Sequence, residues 1–374
     1  MKPPIEIVRR LVLAVALSAI VAAAASPAAS AGDWPSFRGD ERLSGRADAD
    51  LPAAPKPLWS FQAEDGFEAT AAIAGGTVYA ASLDGRLYAL DLGDGTPRWS
   101  YETGEQIKSS PLVTGGRVYF GDEAGRLHAL DAASGEAIWV FTAEGPISAS
   151  PTASGGCILA GAYDNRLYCL DPDSGKPRWQ VETDGYVNGT ASVWRQRAVV
   201  GGCDGYLRAL GLDDGGEALR LELGGYVGAS TAVDGDMAFV GTFENEVRAI
   251  DLAAGETAWI YRNEQRSFPF YSSAAIAGDR VVIGGRDKRL HAIDRKTGEG
   301  LWTYTTQGQI NASPVIVGKR VFAAAGDGTL FAVDLASGKE SWTFDAGSGF
   351  EASPAVGAKR LVIGTVDGTL YCFG

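Results

Sequence analysis

From residue 58 onward the hydrophobic positions fall into short runs of about five residues, separated by Gly-rich turns. Between Ile107 and Phe141 the runs are IKSSPLV, RVYFG, RLHAL and AIWVF. Runs of this length, rich in β-branched and aromatic residues, predict strands, and no amphipathic helical stretch interrupts them. The pattern then repeats. RLYALD ends at Asp91, RLHALD at Asp131, RLYCLD at Asp171, YLRALG at Gly211, EVRAID at Asp251, RLHAID at Asp294, TLFAVD at Asp334 and TLYCFG at Gly374, a spacing of 40 residues at every step except one of 43. Trp59, Trp99, Trp139, Trp179, Leu219, Trp259, Trp302 and Trp342 keep the same clock. Four short strands per 40-residue period describe a propeller blade, so the chain is expected to form one closed ring rather than several domains.

The turns carry their own chemistry. Asp-x-x-x-Gly-x-x-x-Trp, as in Asp131, Gly135 and Trp139, links the third strand to the fourth. Its Asp can accept local N–H groups, its Gly can take a positive φ, and its Trp points toward the blade junction. Asp84-Gly85, Asp204-Gly205, Asp327-Gly328 and Asp367-Gly368 suit tight hairpins between second and third strands. The chain starts its ring with an outer-type strand, 58–62, and ends on a third-type strand, 369–373. The predicted fold is therefore an all-β, eight-bladed propeller of four-stranded antiparallel blades over 58–374, with the N-terminal strand completing the last blade and removing the exposed edge.

These residues resemble the tryptophan-docking repeat of the pyrroloquinoline-quinone (PQQ)-type eight-bladed propellers, over about residues 58–374. Residues 34–45, WPSFRGDERLSG, are similar to a leader that precedes many such propellers, and Trp34 and Phe37 are expected to pack on the propeller's flank. The resemblance implies one of two branches. Quinoprotein dehydrogenases bind PQQ and calcium, and typically carry an adjacent Cys pair, calcium ligands and an Asp base on blade insertions. Non-enzymatic scaffolds include the outer-membrane β-barrel assembly factor BamB. Here Cys157, Cys169, Cys203 and Cys372 include no adjacent pair. Cys169 and Cys372 fill a slot that is Ala in the other six repeats and read as packing residues. A hairpin turn on Asp164-Asn165 puts Cys157 and Cys169 on opposite faces; Cys157 and Cys203 belong to opposite rims, so no disulfide is expected.

Composition narrows the function. The formal charge of −13 disfavours nucleic acid, and two His residues, His128 and His291, leave little for a His-rich metal site or a His-centred triad. Lys2, Arg9 and Arg10 before the apolar run 11–25, then Ala29-Ser30-Ala31, read as an export signal over 1–31. Cleavage there leaves a leader, 32–57, ahead of the propeller; a mature charge of −15 follows, since residues 1–31 carry net +2. No lipobox Cys follows the run, so a soluble, monomeric, periplasmic or extracellular protein without a lipid anchor is expected.

Two groups of residues are left as site candidates. One position at the start of each innermost strand varies around the ring: Glu68, Lys108, Ser148, Asn188, Gly228, Tyr271, Asn311 and Glu351. Their carboxylates and amides suit a cation or small ligand, with Glu68, Lys108, Asn188, Asn311 and Glu351 as candidates, against the alternative of a hydrated rim neutralised by Lys108. The three extra residues of the 43-residue unit lie in 263–271, where Phe268, Phe270 and Tyr271 join Tyr186 and Tyr226 as a candidate partner-binding patch. Phe270 also fits the regular apolar slot. Trp194 has no counterpart in other repeats and reads as an exposed contact. The first function class is an exported, non-catalytic scaffold that binds other envelope proteins; the alternative is a PQQ-binding sensor or quinone-dependent dehydrogenase. A carbohydrate-active enzyme, with Glu68 and Glu351 as its carboxylate pair, stands third.

Overall fold

A propeller blade closes on itself only if its innermost strand, which has a free edge along the central channel, finds partners for its backbone groups. The computed structural model of the protein, which describes residues 32–374, meets that demand twice. The predicted export signal, 1–31, lies outside the described residues. Eight four-stranded antiparallel sheets form the ring, and no helix occurs among the described residues. Blade 1 contains the strands Ala72–Ala74, Thr77–Ala81, Arg86–Asp91 and Pro97–Glu102, ordered from the channel outward, and blades 2–7 repeat this order. Blade 8 takes its outer strand, Pro57–Gln62, from the N-terminal side, paired with Thr369–Phe373. The closure expected from the strand count is the one observed.

Burial follows strand position. The third strand of blade 2, Arg126–Asp131, is buried on both faces because the blades on either side cover it, whereas its outer strand, Ala137–Thr142, alternates exposed and half-buried residues. Each outer strand has a one-residue register irregularity just before the docking position, as between Ala137 and Trp139. Such a bulge re-aims the following side chain, here toward the next blade. The Trp99 indole N–H donates to Ala132 O at 3.2 Å, Trp139 to Pro172 O at 2.9 Å and Trp179 to Leu212 O at 2.9 Å. Trp59, Trp259 and Trp302 repeat the contact with Leu92, Arg295 and Leu335. Glycine of the following turn supports each ring: Gly135 has φ 74°, and a Cβ there would lie 2.7 Å from the Trp99 ring. Trp342 instead meets the seam between the chain ends and packs edge-on against Phe373, centroids 5.7 Å apart.

Two circular systems line the channel. In the first, the backbone N–H of Thr70 donates to Ser110 Oγ, and Ser110, Ser150, Thr190, Ser230, Ser273 and Ser313 each donate onward to the hydroxyl of the next blade, ending at Ser353. These seven bonds, 2.8–3.2 Å long and all buried, join blades 1 to 8 in order. The second system is the leader. It exchanges Trp34–Ile73 bonds with blade 1, and its carbonyls at Pro35, Glu41, Arg42, Ser44 and Gly45 accept from Val113, Val193, Val233, Ile276 and Ile316. Arg46–Ala47 then runs parallel to Val315–Val317 of blade 7. Trp34, Arg38 and Leu43 are each 1% exposed inside this loop. The leader thus seals one end of the channel; it does not lie on the flank as the sequence suggested, because the free groups it can satisfy are those of the innermost strands.

Two further expectations change. Cys157 and Cys169 form a disulfide, with Cα atoms 5.1 Å apart. The hairpin is not centred on Asp164-Asn165: Gly161 pairs with Leu167, Ala162 N–H donates to Arg166 O, and Asn165 takes φ 66°. This register pairs Leu159 with Cys169, so Cys157, two residues away, shares the face of Cys169 on the diagonal. Cys169 is thus half of a cross-link rather than a plain packing residue, while Cys203 and the buried Cys372 are free. Trp194 is 6% exposed: its Nε1–H donates to Asp236 at 2.8 Å, and Arg195 and Arg197 lie over its ring.

Ser150→Ala removes the acceptor of the buried Ser110 N–H, and should lower the unfolding free energy by about 1–3 kcal/mol in denaturant titrations. The exposed Ser60→Ala control should change it by less than about 0.5 kcal/mol. Thiol titration of the unfolded, unreduced protein should count two free thiols, and Cys157→Ala with Cys169→Ala should cost about 2–3 kcal/mol.

Candidate functional site at the channel mouth

Each innermost strand runs from the open rim toward the leader, so its first variable residue stands at the mouth and its belt hydroxyl lies deeper. All eight variable residues, Glu68 to Glu351, line one cavity of ≈ 160 Å³. Phe37 of the leader lines it too, which makes the channel a blind well with a floor. The five predicted ligand candidates, Glu68, Lys108, Asn188, Asn311 and Glu351, are therefore brought together.

The well has two sides. On one, Asn311 Nδ2 donates to Glu351 Oε2 at 3.0 Å and Oε1 at 3.3 Å, and Asn311 Oδ1 accepts from Arg286 Nε at 3.1 Å. The Arg286 guanidinium in turn lies 4.3 Å from the Tyr271 ring centroid. On the other, Ser148 Oγ donates to Glu123 Oε1 at 2.6 Å, and Lys108 Nζ is 3.8 Å from Glu123 Oε2. Asn188 Oδ1 is buried without a partner. Burial pushes the Glu68 carboxyl above the usual carboxylate range; Lys108 opposes the shift, and Glu351, Glu123 and Asp65 add to it.

Glu123 and Arg286 were missed in the sequence, yet they belong to a second periodic series at the hairpins: Leu83, Glu123, Tyr163, Cys203, Phe243, Arg286, Gly326 and Val366. Each donates its backbone N–H to a carbonyl of the link entering its own blade, as Glu123 does to Gln106 and Arg286 to Pro269. Hairpin residues therefore stand beside the first ring, at a fixed offset of 15 residues in every blade.

The aromatic residues occupy the same rim over blades 3 to 6. Tyr163 stacks on Tyr186, with centroids 5.0 Å apart and planes within 5°, and Phe243 meets Tyr271 edge-on at 5.8 Å. Gly228 makes room for them, since a Cβ there would lie 2.5 Å from Phe243 and 3.0 Å from Tyr271. Tyr226, Tyr186 and Phe268 are 62%, 50% and 47% exposed. Phe270 is not part of this surface. It is 2% exposed, packs on Tyr261 and His291, and fills the apolar slot against Gly241. The inserted residues lengthen the loop before that slot and leave the slot itself unchanged.

His128 and His291 serve the core. Their Nε2 atoms meet Asp122 at 2.9 Å and Asp287 at 3.1 Å, with both imidazoles buried. Asp122 stays below the usual carboxylate range: burial raises it, and the bonds from His128 and the Arg126 N–H more than compensate.

The residues of the well do not fit PQQ. A volume of ≈ 160 Å³ lies below the about 300–1,000 Å³ of ordinary small-molecule pockets, and a planar tricarboxylate would face Glu68, Glu123 and Glu351. The amide of Asn311 is already engaged with Glu351, and no group of three or more His, Cys, Asp or Glu side chains arranged for a metal occurs among the described residues.

Known structures share the fold. BamB from Moraxella catarrhalis superposes with a TM-score of 0.74 at 21% identity, covering 86% of this chain and 97% of that one. The computationally designed Ika8 protein gives 0.73 at 18% identity, covering 85% and 99%. The quinohemoprotein alcohol dehydrogenase ADHIIG from Pseudomonas putida HK5 gives 0.77 at 14% identity, covering 92% and 80%. At these identities the likeness shows the propeller alone. No curated protein matches the sequence. The sequence profile described as outer membrane protein assembly factor BamB matches residues 52–203 and 164–374, so the chain, a PQQ-like eight-bladed propeller, belongs to that family.

Proposed function

We propose that the protein is an exported, non-catalytic scaffold of the cell envelope, and that it binds another envelope protein through the rim around the well, in the assembly of outer-membrane proteins. The observation that carries this reading is the aromatic arc over blades 3 to 6, where Tyr186, Tyr226, Phe268 and Tyr271 stand exposed on adjoining loops. Large aromatic rings are enriched at protein interfaces because they bury much area while losing little conformational freedom. They sit on a rigid ring, so their spacing is set before any partner arrives, which lowers the ordering cost of binding. Membership of the BamB family supports the envelope role, and the export signal read at 1–31 supports the compartment. A quinone-dependent dehydrogenase finds no support in the well, whose size and carboxylates disagree with the cofactor.

The test is in-cell photo-crosslinking and affinity capture from the native envelope, comparing the unaltered chain with Tyr226→Ala/Phe268→Ala. Loss of two anchors at about 1 kcal/mol or more each should reduce the captured envelope partner roughly 30-fold, with thermal stability unchanged. Ile138→Ala/Val140→Ala, which removes exposed side chains from the outer strand of blade 2, should leave capture intact. Equal capture by the aromatic variant and the unaltered chain would overturn the proposal.

A further inference from the structure

Arg38 is the most confined cation among the described residues. It lies in the leader loop that seals the channel, 1% exposed, in a left-handed backbone conformation with φ 63°. Its carbonyl accepts from Gly45 N–H at 3.2 Å, and its guanidinium packs so tightly on Gly45 that a Cβ there would overlap Nη2. Nη2 donates to Ala274 O of blade 6 at 3.0 Å. Nε and Nη1 have no hydrogen-bond partner, which leaves three of the five guanidinium N–H groups unengaged.

The nearest acid does not complete it. Asp40 raises the Arg38 pKa by proximity, but its carboxylate oxygens accept from Arg42 N at 2.9 Å, Ser44 N at 3.1 Å and Ser44 Oγ at 2.5 Å. Burial lowers the Arg38 pKa to about 9, so the side chain remains a cation at neutral pH. A buried charge with most of its donors unused is strongly unfavourable, and at neutral pH Arg38 does not relieve it by losing its proton. Thr231, which holds in blade 5 the position of Ala274 in blade 6, also has a buried hydroxyl without a partner. The neighbouring residue, Phe37, forms the floor of the well, and Nη2 reaches Ala274 O, one residue beyond the belt Ser273, so the Arg38 donors lie at the sealed end of the channel.

We propose that Arg38 holds a small monovalent inorganic anion, with chloride as its ordinary occupant, at the sealed end of the propeller channel. One charge is what a single guanidinium requires. A multiply charged anion would leave net negative charge buried in a chain that already carries −13. Nε–H and the Nη1 N–H groups point away from each other on the planar guanidinium, so a single ion is held at one of them, the Nη1 end, where two N–H groups are unengaged. Through Arg38 the ion would tie the leader to blade 6, and so act on the stability of the seal.

The test uses the full chain in chloride-free gluconate buffer at constant ionic strength, titrated with sodium chloride, sodium bromide or sodium phosphate. Chloride and bromide should raise the melting temperature along a saturating curve by about 2 °C or more, and phosphate should not. Arg38→Met should abolish the saturating response, while Arg38→Lys, which keeps the charge but not the donor geometry, should move its midpoint at least ten-fold. Bromide-soaked crystals should show an anomalous peak within hydrogen-bonding reach of Arg38. Should Arg38→Met fail to fold, the Lys variant and the bromide peak decide. A response that is identical in the unaltered and Arg38 variants, saturation by phosphate alone, or no bromide peak at Arg38 would each overturn the proposal.

Discussion

Eight blades can stand around one axis only if neighbouring innermost strands meet at a fixed distance, and the buried hydroxyl belt sets that distance. A backbone N–H on one strand must reach a Ser or Thr hydroxyl on the next within 2.8–3.2 Å, seven times in succession. The hydroxyl is large enough to accept and small enough to let the strands approach. Everything nearer the mouth inherits this spacing, because the variable residue lies two positions before the belt in every blade. Glu68, Lys108, Asn188, Asn311 and Glu351 converge for that reason and need no mutual attraction to do so. The belt also accounts for the leader: with strand edges held in a circle, one circular segment can satisfy groups on most blades at once.

The outer circumference is fixed by a different device. A bulge aims each docking Trp at the next blade, where, for all but Trp342, a glycine with positive φ lies flat beneath the ring and a carbonyl takes the indole N–H. Blade 4 keeps the geometry with Leu219 against Gly255, without the hydrogen bond. Such redundancy lets one blade vary while the ring stays closed. Variation is then concentrated where it costs least, at the mouth and in the rim loops, which is also where a partner can reach.

Much of the ring was legible in the sequence because its signals are periodic. The strand runs, the docking Trp series and the missing outer strand of blade 8 all follow from counting, and so does the convergence of the variable position. The belt was visible as small residues, but its role was hidden, since each hydroxyl's partner lies about 40 residues away on another blade. Glu123 and Arg286 were overlooked for a related reason: they lie on hairpins, and only the ring folds them against the first series. The Cys157–Cys169 bridge was lost to one residue of turn register, set by Asn165 in the left-handed region. The leader has no period, so nothing in its letters showed that Trp34 and Arg38 would enter the channel end. Trp194 was misread because its acceptor, Asp236, belongs to the next blade.

Hydrogen exchange resolved to single amides tests the central claim most directly, namely that a buried belt of seven bonds joins blades 1 to 8 and holds the ring. The N–H groups of Ser110, Ser150, Thr190, Ser230, Ser273 and Ser313 should exchange only through global unfolding, among the slowest in the chain, although each lies two residues before a three-residue strand that borders the channel. If these amides instead exchange at the rates of the exposed rim loops, the belt does not hold the ring, and the account fails.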